Sequence, residues 1–270
     1  MSKSFVHLHA HTEYSMLDGA AKIETYLDKV KELNQPGAAI TDHGNLYGAL
    51  EFYYSAMKRN LIPIIGYEAY VINDSRFERP DRENNKRYHL TLLAENTVGY
   101  WNLVNMASKA FTEGYYYKPR VDYELLREYS EGIIALSGCL GGEISQFLAP
   151  DGSTEEGNKE GERSYTKALE KANFYQSIFG DENFYIELHN HGIEQQKLIL
   201  PDLLKISEDI GAPLVATNDS HYVNKEDSSA HDALLCVQTN ATLDDETRFK
   251  FDGSGYHVKS SEEMRKIFPE

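Results

Sequence analysis

The chain has 270 residues, 41% hydrophobic and 26% charged, with a formal net charge of −16 at pH 7 and two cysteines. That is the balance of a folded globular protein rather than a disordered or membrane chain. No apolar run approaches the roughly 20 residues that span a bilayer, and the opening MSKSFVHLH lacks the apolar core of a signal peptide. The expected location is the cytoplasm, where Cys139 and Cys236 are too few for a disulfide framework. The acidic balance works against binding a polyanion over the surface at large. Contact with nucleic acid would have to rely on local charge, such as bound divalent cations.

Short apolar runs alternate with longer amphipathic stretches, the pattern of an α/β architecture. In chain order the spacing predicts strands at Phe5 to His9, Gly37 to Thr41, Ile62 to Tyr70, His89 to Ala94, Gly132 to Ser137, Phe184 to Leu188 and Pro213 to Thr217. Between them it predicts helices at Ile23 to Leu33, Leu46 to Arg59, Thr97 to Phe111, Arg163 to Ile178 and Gln195 to Ile210. These are long enough to cross between parallel strands, so a barrel of strand and helix units over residues 1–270 as one domain is expected. Two polar stretches, Asn73 to Arg87 and Asp151 to Glu162, read as surface insertions. After Asp227 come a helical AHDALLCVQTN and an amphipathic SSEEMRKIF. The end at Pro269 and Glu270 lacks a closing element and reads as that of an excised domain.

The opening HLHAHTEYSMLDG sets His9 and His11 two apart at the end of the first predicted strand, where i and i+2 share a face and can converge on one metal. Asp18 follows as an oxygen donor. The device recurs at other strand ends, with His43 in TDHGN, Glu68 in GYEAY, and Asp219 and His221 in TNDSHY. Barrels assemble their sites from the C-terminal ends of several strands, so donors distant in sequence can meet. His89 opens the fourth predicted strand and Cys139 follows the fifth. Together these nine side chains suffice for two or three divalent metals. The mixture of imidazole, thiolate and carboxylate suits zinc, manganese or iron, with magnesium a poorer match. His7 is left out of the donor set; His231 and His257 read as structural, Cys236 as core, and His189 and His191, an HxH pair at a strand end, stay outside the set with a rim role as their alternative.

HLHAHT with SMLDG, then TDHGN, GYEAY, YHLTLLAEN, SGCLGGE, ELHNHG and TNDSHYV resemble, in order, the motifs of the PHP (polymerase and histidinol phosphatase) domain of bacterial DNA polymerase III alpha subunits. GYYYKPRVD, AHDALLCVQT and the SSEEM segment resemble that polymerase branch rather than stand-alone histidinol phosphatases. The resemblance spans nearly the whole chain. It implies a distorted (β/α)7 TIM-like barrel at the N-terminal part of a longer polymerase subunit. It also implies that His9, His11, Asp18, His43, Glu68, His89, Cys139, Asp219 and His221 hold up to three metals. Cysteine at position 139 is the choice of polymerase members that keep the site.

Bridging metals yield hydroxide at neutral pH and neutralise charge on a phosphoryl oxygen, so the expected reaction is phosphoester hydrolysis. In a replicative polymerase that becomes 3'-to-5' proofreading of a DNA primer terminus. Glu68 is the expected metal bridge, and Asp219 and His221 share the reaction with it. Lys118, Arg120 and Arg76 are candidates to hold backbone phosphates. The tyrosines from Tyr115 to Tyr117 could stack on a frayed base, although packing is their more ordinary use. The expected partners are the rest of the alpha subunit and the replisome, with no membrane. Two other classes remain open: a metal-stabilised brace without turnover, and a small-molecule phosphatase of the histidinol phosphate type.

Overall fold

The computed structural model describes residues 4–81, 84–150, 163–253 and 255–269. Along them run the strands β1 (Gly37–Ile40), β2 (Ile62–Ile72), β3 (Tyr88–Ala94), β4 (Arg120–Asp122), β5 (Ile133–Leu136), β6 (Phe184–Leu188) and β7 (Leu214–Ala216). The helices are α1 (Ile23–Glu32), α2 (Ala49–Lys58), α3 (Thr97–Thr112), α4 (Tyr123–Glu128), α5 (Glu143–Leu148), α6 (Tyr165–Phe179), α7 (Glu194–Ile210), α8 (Ser228–Thr239) and α9 (Ser261–Ile267). The chain groups into two compact units. One takes residues up to Ile65, His189–Ile193 and Ala216 onward; the other takes Gly66–Leu188 and Glu194–Val215.

In the first unit α1 buries Ile23, Tyr26, Leu27 and Val30, the i, i+3, i+4, i+7 stripe of an amphipathic helix. Lys22 offers no side-chain cap; Glu13 instead accepts from the Ile23 amide at 2.9 Å. The stripe packs with Ala38 and Ile40 of β1, Phe52 and Ala56 of α2, and Val223 and Val258 from the C-terminal part of the chain. β1 pairs parallel to the start of β2, Gly37 opposite Ile62 through Ile40 opposite Ile65. Phe5 to His9 do not form the expected strand. The backbone bends at Leu8 and His9, so His7 bridges Ala38 while Ala10 bridges Ser220, and no continuous ladder forms.

In the second unit the sheet runs β2–β3–β5–β6–β7, with β4 on the flank of β2. β3 is antiparallel to both β2 and β5, whereas β4 on β2 and β6 on β5 are parallel. The all-parallel alternation expected from the sequence therefore fails at β3. The described residues of the link from β2 to β3 form no crossover helix, and β3 runs back along its neighbour. The remaining predicted strands and helices form within a few residues of their expected ends. β4, α4 and α5, of three and six residues, were not foreseen because a hydrophobic period needs more length to show. The polar stretch Asp151 to Glu162 lies outside the described residues.

Helix α3 starts at Asn96, whose side chain accepts from the amides of Val98 and Gly99. Gly99 lies so close to the Gly132 carbonyl that a Cβ there would sit 1.7 Å from the oxygen. In an open helix glycine to alanine stabilises by about 1 kcal/mol. Here Gly99→Ala is expected to reverse that sign and lower the denaturant midpoint, and a raised midpoint would refute the packing of α3 on this turn.

Candidate metal centre

The first unit brings six of the nine predicted donors together. His9 Nε2 lies 3.2 Å from His11 Nε2. Oδ2 of Asp18 lies 2.8 Å from His43 Nε2 and 3.1 Å from His221 Nε2. Oδ1 of Asp219 lies 3.2 Å from His11 Nε2, 3.4 Å from His9 Nε2 and 3.6 Å from His221 Nδ1. Two ligands about 2.0–2.1 Å from one zinc ion at a tetrahedral angle stand roughly 3.3 Å apart, so these separations suit shared cations. Two overlapping sets result: His11, Asp18, His43 and His221, and His9, His11 and Asp219.

The local backbone explains the convergence. Asp42 accepts from the Thr12 amide at 2.6 Å, the Thr12 hydroxyl at 2.7 Å and the Ser15 hydroxyl at 2.7 Å, tying the His11 turn to the residue before His43. Having given its proton to Asp42, the Ser15 oxygen accepts from His11 Nδ1 at 2.9 Å and from the His43 amide at 3.1 Å. That fixes the His11 tautomer, with the Nε2 lone pair facing the cluster. His221 is oriented likewise, its Nδ1 donating to the Asp219 carbonyl at 2.9 Å. Asp219 sits at a left-handed φ of 46°, a conformation that aspartate tolerates better than most residues. Its Oδ1 is buried without a hydrogen bond of normal geometry.

Electrostatics follow from crowding. Burial would raise the carboxyl of Asp18, but His221 and His43 hold it well below its usual value. Asp219 is likewise lowered against burial by His9, His221 and His11. Burial together with His43 and His221 drives His11 down to about 3, so its imidazole is neutral at pH 7. His221 moves the other way, because Asp18 and Asp219 outweigh its burial.

The second unit collects the other three donors. Glu68 on β2 stands opposite Thr91, and His89 on β3 stands opposite Tyr70, which puts both donors on one face of the ladder. His89 Nδ1 is 3.2 Å from Glu68 Oε1, and Cys139 Sγ is 3.7 Å and 3.9 Å from those two atoms. The Gly141 amide donates to Cys139 Sγ at 3.3 Å, which favours thiolate character. The Gly138 amide donates to Glu187 at 3.0 Å, and Glu143, four residues beyond Cys139, accepts from Tyr123, Tyr175 and Lys171. Both carboxylates anchor the SGCLGGE loop.

The phosphate candidates fare differently. Arg76 is buried against Glu113, Asp122 and Glu124. Arg120, also buried, donates to the carbonyls of Gly114, Arg76 and Glu78. Both guanidinium groups are thus engaged in holding the β4 region, because a buried charge must be satisfied by the protein itself. Lys118 stays half-buried over the Tyr70 ring at 5.2 Å, and Tyr70 meets His89 edge-on at 5.4 Å. His7 bonds the Lys259 carbonyl, away from the cluster. His191 Nε2 bonds the Asn218 carbonyl at 2.9 Å and His189 Nε2 meets the Thr217 hydroxyl at 2.7 Å. Asp42, Ser15 and Asn218 were missed in the sequence. Asp42, directly before His43, carried the one legible hint.

A family model described as the PHP domain matches residues 7–191. The chain belongs to the PHP domain family. Over 98% of its length this PHP domain is 48% identical to DNA polymerase III subunit alpha of Thermus aquaticus, and over 99% it is 46% identical to that of Deinococcus radiodurans. It spans about a fifth of those relatives, 21% and 20% of their lengths. Among solved structures, a candidate metal-dependent phosphoesterase of Bifidobacterium adolescentis matches with a TM-score of 0.51 at 13% identity, over 98% of this chain and 95% of that one. At that identity the likeness establishes the fold, and the α/β fold of PHP type expected from the sequence is the fold of this chain.

Replacing Arg120 by methionine leaves three carbonyls without their donor, and Arg120→Met is expected to lower unfolding free energy by about 2–4 kcal/mol. Lys118→Ala should change it by no more than about 0.5 kcal/mol. Denaturant titration of both variants checks the contrast, and equal effects would contradict the distinction between them.

Proposed function

We propose that this PHP domain is a metal-dependent phosphoesterase that acts in the cytoplasm as a 3'-to-5' proofreading exonuclease. The 270 residues would serve as a single domain at the N-terminal part of a bacterial replicative polymerase alpha subunit. One observation carries the reading. Four imidazoles and two carboxylates, scattered from His9 to His221, each lie within 2.8–3.6 Å of at least one other of the set in one unit. The similarity to polymerase alpha subunits over nearly the whole chain supplies the setting.

His9, His11, Asp18, His43, Asp219 and His221 would hold metal in the first unit and Glu68, His89 and Cys139 would hold metal in the second, two to three ions in all. Imidazole nitrogens and a thiolate favour zinc, manganese or iron over magnesium. When bound, such ions lower the pKa of water and neutralise charge on a phosphoryl oxygen. The residues do the rest. Asp42 through Ser15 keeps the His11 lone pair turned inward. The Gly141 amide steadies the Cys139 sulfur. The side chains of His43 and His89 keep 20% and 18% of their surface exposed, which supports substrate access and speaks for turnover over a sealed structural site. Glu68, Asp219 and His221 are the residues assigned to the reaction.

Lys118 is the phosphate contact that fits this reading, since no carboxylate lies within ion-pair distance of it among the described residues. Its place over Tyr70, itself against His89, sets a positive charge beside a metal donor. Tyr115 and Tyr117 are 53% and 63% exposed and available for base stacking. The partners are then a DNA primer terminus and the remainder of the alpha subunit within the replisome.

The test is a primer–template with a 3' mismatch, incubated with the protein and manganese or zinc. Primer shortening is expected, and Asp219→Asn should slow it by about 100-fold or more, beyond the 10- to 100-fold typical of losing an outer partner of a metal ligand. Shortening that survives chelation or the substitution would contradict the assignment. Phosphate release from histidinol phosphate would indicate a small-molecule phosphatase, and inactivity toward both substrates with metal bound would indicate a brace.

A further inference from the structure

Lys259 is buried, at 5% exposure, with no carboxylate within ion-pair distance among the described residues. Its ammonium donates to Asn218 Oδ1 at 2.6 Å and to the Gly255 carbonyl. Burial lowers its pKa to about 8, so it remains charged at pH 7. A charge held in the interior by neutral acceptors costs desolvation energy, which the contacts it makes must offset. What the charge holds is specific. Asn218 passes the contact on, its Nδ2 donating to the carbonyls of Gly255 at 3.0 Å and His257 at 2.8 Å and to the Ser220 hydroxyl at 3.2 Å. Its own carbonyl accepts from His191. The next residue is Asp219, at its left-handed φ of 46°, and the one after, Ser220, accepts the His11 amide at 2.8 Å. The carbonyl of Lys259 in turn takes His7 Nε2 at 2.9 Å and Gln35 Nε2 at 2.8 Å, which fixes the lysine backbone against the opening segment.

We infer that Lys259 is a positioning residue for the metal donor Asp219. By gripping the Asn218 side chain it fixes the turn at 218–220 and with it the direction of the Asp219 carboxylate. The inference rests on the metal-binding reading above and deepens it, since it assigns part of the affinity for cations to a residue that touches none of them. Outer partners of this kind are commonly worth 10- to 100-fold in metal affinity.

The test uses the intact protein, stripped with a chelator and titrated with cobalt(II), reading both bound metal and ligand-field absorption. Lys259→Met is compared with the unsubstituted protein, Asn218→Ala and Asp219→Asn. Lys259→Met is expected to bind cobalt about 10- to 100-fold more weakly and to shift the absorption toward that of Asp219→Asn. Its metal-free melting temperature should fall by no more than that of Asn218→Ala, since Asn218 Oδ1 loses its donor while the Gly255 carbonyl keeps Asn218 Nδ2. Asn218→Ala should show the same loss of affinity, and the double variant should be no worse than either single one, because the two act through one contact. Unaltered affinity and spectrum in Lys259→Met overturn the inference, as does a fall in metal-free stability with metal binding intact. Should Lys259→Met fail to fold, unaltered cobalt binding by Asn218→Ala overturns it. An unsubstituted protein that takes up no cobalt refutes the metal reading itself, a result distinct from all of these.

Discussion

Four imidazoles and two carboxylates crowd the interior of the first unit, and their mutual approach is the constraint to which the surrounding structure answers. Buried carboxylates are costly unless a positive charge or several hydrogen bonds compensate them. Here the compensating groups are histidines, and His11 is itself pushed to about 3, so it brings a lone pair rather than a charge. Such a set is poorly suited to being a hydrophobic core or a chain of ordinary hydrogen bonds. It is well suited to divalent cations, which take neutral nitrogen and anionic oxygen together.

Around that crowd the fold invests in fixing directions. Asp42 gathers two hydroxyls and an amide so that the HLHAHT turn and the TDHGN turn move as one piece. Asn218 does the same for the TNDSHY turn, using carbonyls near Gly255 and His257. In the second unit Glu187 and Glu143 hold the two ends of the SGCLGGE loop that carries Cys139. Each brace is a buried polar group with its partners satisfied, which rigidifies a site more effectively than apolar packing alone.

The candidate donors were readable because each is a metal-ligating residue type at the end of an apolar run, and the side chains of His9, His11, Asp18, His43, Asp219 and His221 come together in space. The reason given for His9 and His11 was incomplete. They converge on a bent segment held by two isolated bridges, not on a regular strand. Arg76 and Arg120 showed the limit of reading charge from sequence, since nothing in RVD or SRF announces that those side chains are buried among carboxylates and carbonyls. The antiparallel run of β3 was hidden as well, because strand direction depends on whether the linking segment crosses the sheet or folds back. Lys259 and Asn218 left no signal at all; their role exists only once residues some forty positions apart are packed together.

On the proposed reading these side chains bind cations at defined places. Anomalous diffraction from crystals grown with manganese or zinc, collected on either side of the metal edge, tests it directly. Peaks are expected within the groups His11, Asp18, His43 and His221, and His9, His11 and Asp219, at ligand distances of about 2.0–2.2 Å for zinc. Crystals of metal-saturated protein with no peak at these donors, or with metal bound only elsewhere, would contradict it.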